Sequence, residues 1–398
     1  MLPRYFAFGQ SKSQGSGQLF QTETLDWRNE GKLRRVDTIP GDDETRVWRE
    51  DTVTKRAGAP PTIIDVARQA GVSIKTVSRV MNKEPTVHAD TRARVQEAVA
   101  ALNYRPQLSA RSLAGAKSFL IGLLYYDPSA AFVAGVQQGA TLGCREAGRH
   151  LVVESLHENG DGVQPQIESM LAALRPDGMI LTPPLCDNPV ILETLRANRT
   201  PCVLISPAAD GHGMARVGMD DALAAEELTN LLISLGHTAI AFIEGDQSAS
   251  DRRRHGYERA MKAHRIPADP ALVVPGSFDF DSGVAAAQQL FARAHPPTAI
   301  FAANDDMALG ALTAAQRLGI AVPHDVAIVG FDDSRAATLV WPELTTVRQP
   351  LAEMAMAAVD MLLSGAAASV PVQPAPVRVL PHEVIVRGST AAPAKGRA

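Results

Sequence analysis

The chain has 398 residues, of which 45% are hydrophobic and 21% charged, and its formal net charge is −4. This length predicts two or three domains, and the composition fits a soluble globular protein with a large core. No apolar run reaches the roughly 18 residues of a membrane span, and the polar N-terminus lacks the apolar core of a secretion signal, which argues against membrane and secreted proteins.

Charge is distributed unevenly along the chain. Residues 61–117 contain nine Lys or Arg against four acids, a net +5, whereas residues 118–398 carry −10. A small basic module joined to a large acidic body indicates an anionic partner at one end only. The three cysteines, Cys144, Cys186 and Cys202, show no metal-ligand spacing, so we expect buried or idle thiols in a reducing bacterial cytoplasm.

Residues 1–60 show no sustained helical or strand period. Stretches such as SKSQGSGQ and PGDDETR are polar and rich in turn-forming residues. We predict that this segment is a disordered or non-native extension.

Residues 61–104 predict three short helices. Thr62 caps the first, Gly71 ends it, and Ser73 caps the second. The second helix has an outward face that holds Ser73, Ile74, Lys75, Thr76, Ser78 and Arg79. Such side chains at the start of a helix suit the base edges and phosphates of a DNA major groove. From periodicity alone, a helical hairpin with a solvated charged face is an equal alternative.

The strings TIIDVARQAGVSIKTVSRVMN and TRARVQEAVAALNYRP closely resemble the helix-turn-helix of the lactose-repressor (LacI/GalR) family, without a gap from Thr62 through Ser118. The resemblance implies a double-stranded DNA partner and places Ile74, Lys75 and Arg79 at base-reading positions. Lys75 and Arg79 can donate to guanine, whereas Ile74 is limited to a thymine methyl group or to packing. The rest of the predicted DNA-binding set in this module is Thr62, Ser73, Thr76, Ser78 and Asn82. One departure is His88, which stands where the family usually has a Ser or similar cap of the third helix.

Residues 105–117 form the predicted hinge segment. The part around residues 109–114 is too short to be a stable helix alone, and a flexible Ala/Ser/Gly linker is the alternative without the resemblance. In the resembled family this stretch folds when two copies pair on the operator. Leu113 matches a leucine that wedges into the minor groove, and Ala110 matches the small position where the paired helices meet. Gln107 replaces the more usual Asn.

From residue 118 to 387 short apolar runs alternate with helical stretches. The runs are FLIGLLYY, HLVVES, DGMILTPP, PCVLIS, IAFIEG, TAIFAAN and VAIVGFDD. This alternation predicts parallel sheets covered on both faces, arranged as two doubly wound lobes with a ligand cleft at the carboxyl ends of the strands. The predicted fold is therefore an all-α helix-turn-helix domain followed by an α/β body like that of periplasmic binding proteins.

Catalytic and metal motifs are absent from the sequence, so we predict neither enzyme activity nor a cofactor or metal. The strings SASDRRRHGYERA, ANDDMALGA, VAIVGFDD and PELTTVRQP resemble the sugar-binding core of the same family. The resemblance implies a ligand-binding set of Asp127, Phe132, Asp220, Arg253, Phe278, Asn304 and Asp332. Each has a structural alternative; for example, Arg253 could pair with Glu258 at the surface. The loop YYDPSAAF is longer than usual, so the identity of the sugar does not transfer.

Residues 388–398 predict a flexible tail. Because no leucine heptad follows Val386, we expect a homodimer that reads a near-palindrome rather than a tetramer. The predicted function is a ligand-responsive, nucleoid-associated repressor of carbohydrate-utilisation genes, with a sugar or sugar derivative as effector. A transport sugar-binding protein would need a signal peptide, and a hydrolase or kinase would need a nucleophile or a phosphate loop. Whether the effector releases or promotes DNA binding stays open.

Overall fold

The structure, a computed structural model, describes residues 24–26, 34–36, 61–81, 84–105, 117–126, 129–156, 162–208, 213–267, 269–367 and 374–394. In the first 60 residues it describes one antiparallel pair, β1 (Thr24–Asp26) with β2 (Arg34–Val36). These six residues lie within the segment that was predicted to be a disordered or non-native extension. The prediction for the others lies outside the described residues.

The helix module consists of α1 (Ile63–Ala70), α2 (Ile74–Met81) and α3 (Ala89–Ala101). At the start of α1 the carboxylate of Asp65 accepts the backbone N–H and the hydroxyl of Thr62, each at 2.8 Å. Gly71 ends α1 with φ 62°, a left-handed conformation that glycine adopts at little cost. The predicted three helices, with their caps at Thr62 and Gly71, are confirmed.

The core of this module is small. Val66, Val77 and Val95, one from each helix, are fully buried, and Tyr104 closes the cluster behind α3. The start of α3 lacks a side-chain cap, because His88 makes no capping hydrogen bond there. This agrees with the expectation that His caps poorly.

The body consists of alternating strands and helices. Its strands are β3 (Leu120–Tyr125), β4 (His150–Ser155), β5 (Gly178–Leu181), β6 (Cys202–Ile205), β7 (Ala215–Gly218), β8 (Ile240–Glu244), β9 (Val273–Pro275), β10 (Ala299–Ala302), β11 (Ala327–Val329), β12 (Thr346–Arg348), β13 (Val377–Val379) and β14 (Glu383–Ile385). Its helices are α4 (Ala130–Glu146), α5 (Val163–Leu174), α6 (Pro189–Ala197), α7 (Asp221–Ser234), α8 (Ser248–Ala263), α9 (Phe280–Phe291), α10 (Asp305–Arg317) and α11 (Leu351–Leu363).

Two parallel sheets define two lobes. The first lobe has the strand order β13-β7-β6-β5-β3-β4, and the second has the order β11-β10-β8-β9. The strands read as continuous apolar runs because both faces of each sheet are covered. In the second lobe the ring of Phe242 stacks on Tyr257 at 5.3 Å and meets Phe301 edge-on at 5.1 Å. The predicted pair of doubly wound lobes is confirmed.

The chain crosses between the lobes more than once. It leaves the first lobe after β7, returns after β12 with α11, and crosses again from β13 to β14, which pairs antiparallel with β12. Several crossings let the lobes pivot about short segments while each keeps its own core. Among the described residues, no helix combines the length and apolar character that crossing a membrane requires.

The predicted tail from residue 388 is wrong at its beginning. Ser389 is fully buried; its hydroxyl accepts the N–H of Thr345 at 2.8 Å and donates to the carbonyl of Ile328 at 2.6 Å. The carbonyl of Ala391 lies 2.9 Å from Nε2 of His237. These contacts fix the segment as part of the second lobe, although its composition suggests a linker. The cysteine prediction is confirmed, because all three thiols are free and buried.

Candidate functional site

The outward face of α2 carries the side chains predicted to read bases. Ile74, Lys75 and Arg79 are exposed, whereas Val77 and Val80 of the same helix are buried. Residues separate onto opposite sides in this way because one helical turn takes 3.6 residues. The structure therefore brings the three predicted base-reading side chains to one solvent-facing surface.

Hydroxyl groups lie at the N-terminus of this helix. Oγ of Ser73 accepts the backbone N–H of Thr76 at 3.1 Å and lies 2.9 Å from Oγ1 of Thr76. Ser78 is half-buried, and Thr62 is exposed at the start of α1. The remaining members of the predicted DNA-binding set lie outside the described residues: Asn82, Ala110 and Leu113.

Arg79 has an intramolecular partner in the free protein. Its Nε lies 3.6 Å from Oε2 of Glu84, and the two side chains are 47% and 44% exposed. A solvent-exposed ion pair of this kind is worth about 0–1 kcal/mol. Exchanging Glu84 for a base edge or phosphate therefore costs little.

The second candidate site is a cleft at the carboxyl ends of strands from both lobes. Its empty space, which includes space open to solvent, is about 420 Å³. Ten residues line it: Tyr126, Ser129, Phe132, Pro183, Gln247, Ala249, Arg253, Phe278, Asn304 and Asp332. Five were predicted from sequence. Tyr126 and Gln247 were missed, although both lie just beyond strand ends, where ligands of such sheets bind.

Arg253 is fixed by three interactions. Its Nε donates to Oδ1 of Asp221 at 3.1 Å, its Nη1 donates to the carbonyl of Ala303 at 2.6 Å, and its guanidinium lies 3.8 Å from the ring centroid of Phe331. The side chain is only 5% exposed. Two of its five N–H donors are thus engaged within the protein. The guanidinium is a planar fork of donors, a geometry that suits hydroxyl or carboxylate oxygens. The surface pair with Glu258 is made instead by Arg254.

Buried carboxylates face this arginine. Burial raises the pKa of Asp332 well above its ordinary range, and nearby Asp305 adds to the rise while Arg253 opposes it. Nε2 of Gln349 donates to Oδ1 of Asp332. Burial also raises the pKa of Asp305 to about 6, although Oγ1 of Thr346 donates to its Oδ1 at 2.6 Å. Asp332 lines the cleft, whereas Asp305 is not among the lining residues. A change in pH can alter the charge of both carboxyl groups.

Asn304 and Phe278 are linked. The amide of Asn304 donates from Nδ2 to the carbonyl of Phe278 at 2.8 Å and accepts the N–H of Met307 at 3.0 Å, which begins α10. Phe278 has a left-handed φ of 60°, and its ring occupies the space that a Cβ at Gly245 would need, with ring atoms 2.1 Å away. Asn304 thus holds an aromatic ring in the cleft besides lining the cleft itself.

Of the two carboxylates after β7, Asp220 was predicted from the sequence to bind ligand and Asp221 was not. Asp220 is exposed and caps α7, because its Oδ1 accepts the N–H of Leu223 at 2.9 Å. It is not among the lining residues, whereas its neighbour Asp221 is buried and pairs with both Arg252 and Arg253. Asp127, which was also predicted, lies outside the described residues.

Hydrogen bonds join the lobes across the cleft. Ser129 donates to Oδ2 of Asp306 at 2.8 Å, and Ser248 donates to Oδ2 of Asp187 at 3.0 Å. Arg252 donates to the carbonyls of residues 206 and 207 at 3.1 and 3.0 Å. Within the part of the chain that the structure describes, no group of three His, Cys, Asp or Glu side chains is arranged to hold a metal ion.

Family models match both parts of the chain. The description "Bacterial regulatory proteins, lacI family" matches residues 62–107, and "Periplasmic binding protein-like domain" matches residues 229–390. Catabolite control protein A of Priestia megaterium is 34% identical over 304 residues, which are 76% of this chain and 91% of that protein. The ribose operon repressor of Escherichia coli is 33% identical over 304 residues, covering 76% and 92%.

Solved structures are similar across both parts as well. The lac repressor dimer bound to operator and the anti-inducer ONPF matches with a TM-score of 0.72 at 28% identity, covering 84% of this chain and 100% of that one. A complex of the transcriptional regulator CelR with cellobiose matches with a TM-score of 0.62 at 32% identity, covering 83% and 99%.

Proposed function

This chain belongs to the lacI family of bacterial regulatory proteins, and on that premise we propose that it represses transcription as a homodimer on a near-palindromic operator. A sugar or sugar derivative in the inter-lobe cleft changes its affinity for that operator. It acts in the bacterial cytoplasm on nucleoid DNA, and the regulated genes serve carbohydrate utilisation.

The observation that carries this proposal is the presence of two distinct surfaces in one chain. One is the exposed face of α2 with Lys75 and Arg79, and the other is a cleft where Arg253, Asn304 and Asp332 meet. A cationic helix surface suits a duplex groove. A buried arginine, buried acids and aromatic rings suit a compact polyhydroxyl ligand, because each buried polar group must find a partner.

The connection between the two surfaces runs through the start of the first lobe. The carboxylate of Asp177 accepts hydrogen bonds from the backbone N–H of Ser118 at 2.8 Å, from the hydroxyl of Ser118 at 3.2 Å and from the N–H of Phe119 at 3.2 Å. The same carboxylate forms an ion pair with Arg149. This cluster, the Asp177 anchor, fastens the end of the hinge segment to the lobe. A change in lobe position on ligand binding is thereby passed to Ser118, the residue that follows the predicted hinge segment.

The test begins with two screens of the full-length protein. Selection from a random duplex pool identifies the operator, and a thermal-shift screen of sugars and sugar acids identifies the effector, because a ligand stabilises the folded state by mass action. We expect an enriched near-palindrome and at least one stabilising sugar, and light scattering should give the mass of a dimer. Failure to enrich any duplex, with or without the sugars, would contradict the proposal.

A further inference from the structure

The amino-end edge of the first-lobe sheet is where the chain enters the lobe. Strands β6, β5, β3 and β4 are consecutive neighbours in the sheet. The register pairs Leu120 with His150, Ile121 with Gly178 and Met179 with Cys202, so the four strands begin at nearly the same level. The segments that precede these strands therefore lie side by side along one edge.

Each of these segments carries an exposed basic side chain. Lys117 precedes β3, Arg145 lies in the last turn of α4 before β4, Arg175 precedes β5 and Arg199 precedes β6. Because neighbouring strands are about 4.8 Å apart, the four segments span roughly 14 Å along the edge. We call these four residues the cationic row.

The side chains of the cationic row lack close acidic partners in the described part of the chain, although exposed Glu146 follows Arg145 in the sequence. Among the described residues none of its four side chains forms an ion pair, whereas two other arginines nearby do: Arg149 pairs with Asp177, and Arg196 pairs with Glu193. This local excess of positive charge stands out in a body whose net charge is −10 over residues 118–398.

A groove separates two members of the row. It has an empty volume of about 640 Å³ and is lined by Arg175 and Arg199 together with uncharged residues of the α5–β5 and α6–β6 connections. No carboxylate is among the described residues that line it. Both arginines therefore border a space whose described lining includes no acidic side chain.

Helix dipoles alone do not account for the row. Arginines are favoured at helix C-termini generally, and the second lobe has exposed ones at similar places, Arg265 after α8 and Arg317 at the end of α10. Arg265 even shares the left-handed φ, 58° against 45° at Arg175 and 53° at Arg199. What distinguishes the first-lobe row is its position at the edge of the sheet where the hinge segment enters.

We propose that the cationic row of the first lobe binds phosphates of the duplex beside the operator, as a second DNA contact separate from α2. The proposal rests on the proposed function. Four cations spread along one sheet edge match a duplex, which carries one negative charge per about 1.7 Å of its axis, better than they match a small anion. Such contacts add affinity that depends on salt without adding sequence preference.

The test uses the full-length protein and the operator selected by the wild type, on a duplex extending about one helical turn, roughly 10 base pairs, beyond it on each side. The variant Arg175→Gln/Arg199→Gln is compared with the matched control Arg265→Gln/Arg317→Gln, which removes the same charge from the second lobe. The slope of log Kobs against log salt should become shallower by about 0.9 for each phosphate that the variant no longer neutralises. For four such phosphates, two from each protomer of the dimer, the deficit in affinity relative to wild type is about 150-fold larger at 50 mM than at 200 mM salt.

The control should keep the wild-type slope, and both proteins should keep the wild-type ratio of operator to scrambled-duplex affinity. Lys117→Gln/Arg145→Gln is the second variant, should the first fail to fold. Row variants that behave like the control would overturn the proposal. A second result would also overturn it: pyrophosphate stabilises the wild type but not the variant, while both have the same slope of log Kobs against log salt. The row would then be a small-anion site. A wild type that enriches no duplex would instead defeat the proposed function.

Discussion

At Arg253 three interactions fix one buried guanidinium: a carboxylate, a carbonyl and an aromatic face. Desolvating this group is costly, and Asp221 with the ring of Phe331 offsets the cost. The side chain is therefore fixed in one position at the cleft, and a fixed side chain loses less entropy on binding than a mobile one.

Arg253→Gln should therefore lose effector binding and also destabilise the fold. Removing one partner of a buried pair leaves Asp221 short of compensation, and we expect a loss of about 3 kcal/mol of unfolding free energy. Arg254→Gln, on the same helix but in surface pairs with Glu244 and Glu258, should cost under about 1 kcal/mol and keep effector binding. Urea unfolding measures the unfolding free energy of each variant, and the thermal shift on adding effector measures its effector binding. Equal stability and equal effector binding in the two variants would contradict the prediction that Arg253 binds the effector.

The buried Asp305 makes stability depend on pH. Its folded-state pKa, about 6, lies above the ordinary value of 3.8, so the folded state holds the proton more tightly than the unfolded state does. The stabilisation from protonation is complete below about pH 4 and is lost as pH rises through about 6. The wild type should lose about 2–3 kcal/mol relative to Asp305→Asn over this interval. Unfolding titrations at several pH values test this, and Asp281→Asn controls for the loss of one carboxylate. A difference in unfolding free energy between wild type and Asp305→Asn that does not change with pH would refute it.

Adjacent residues mark where sequence reasoning reached its limit. The family strings around Arg253, Asn304 and Asp332 identified residues that the structure brings to one cleft. At Asp220 and Asp221 they did not suffice, because two consecutive carboxylates at a helix start look equivalent in sequence. The first satisfies the N-cap and is exposed, while the second faces the arginines, and only the packing of α7 on α8 decides this.

At the scale of elements, α2 is the part whose geometry follows most directly from its sequence. A period of 3.6 residues separates Val77 and Val80 from Lys75 and Arg79 without reference to the rest of the molecule. The segment after Val386 is the opposite case. Its small polar residues predict a linker, yet Ser389 is buried against β11, and this partner is distant in sequence.

Lys75→Ala should relax base preference at one operator position. A good hydrogen-bonded pairing with a base edge contributes about 1–3 kcal/mol of discrimination against the wrong base pair, and alanine cannot make it. Arg94→Ala removes an equally exposed cation from α3 and should leave the preference unchanged. Selection of duplexes from a random pool by each variant gives the comparison. Unaltered selectivity of Lys75→Ala would show that α2 is not the reading helix.

The Asp177 anchor should transmit the ligand signal rather than bind ligand. Asp177→Asn cannot pair with Arg149 or satisfy all the donors of Ser118 and Phe119, so the hinge end loosens. We expect normal thermal stabilisation by effector but a ratio of operator affinities, with and without effector, that falls toward one. Asp360→Asn, which breaks an exposed pair with Arg378 in the same lobe, should preserve the ratio. Equal ratios in the two variants would rule out the anchor as a coupling element.

At the scale of the whole molecule, function depends on a free-energy link between the cleft and the DNA-reading surface. Contacts between the lobes, such as Ser129 with Asp306 and Ser248 with Asp187, stabilise the lobe arrangement in which they form. A ligand shifts the lobe arrangement only by its differential affinity for the two states. The free energy that couples the cleft to the DNA-reading surface therefore depends on those contacts and on the hinge. Such coupling free energies are typically about 1–3 kcal/mol.

The most direct measurement is the operator affinity of the full-length protein at increasing concentrations of a sugar that stabilises it. A coupling of this size predicts a saturable change in operator Kd of about 5- to 150-fold, in one direction. Arg253→Gln, which we expect not to bind the sugar, should bind operator with a Kd that does not change when the sugar is added. An operator Kd that stays constant while the sugar saturates its cleft would contradict the account.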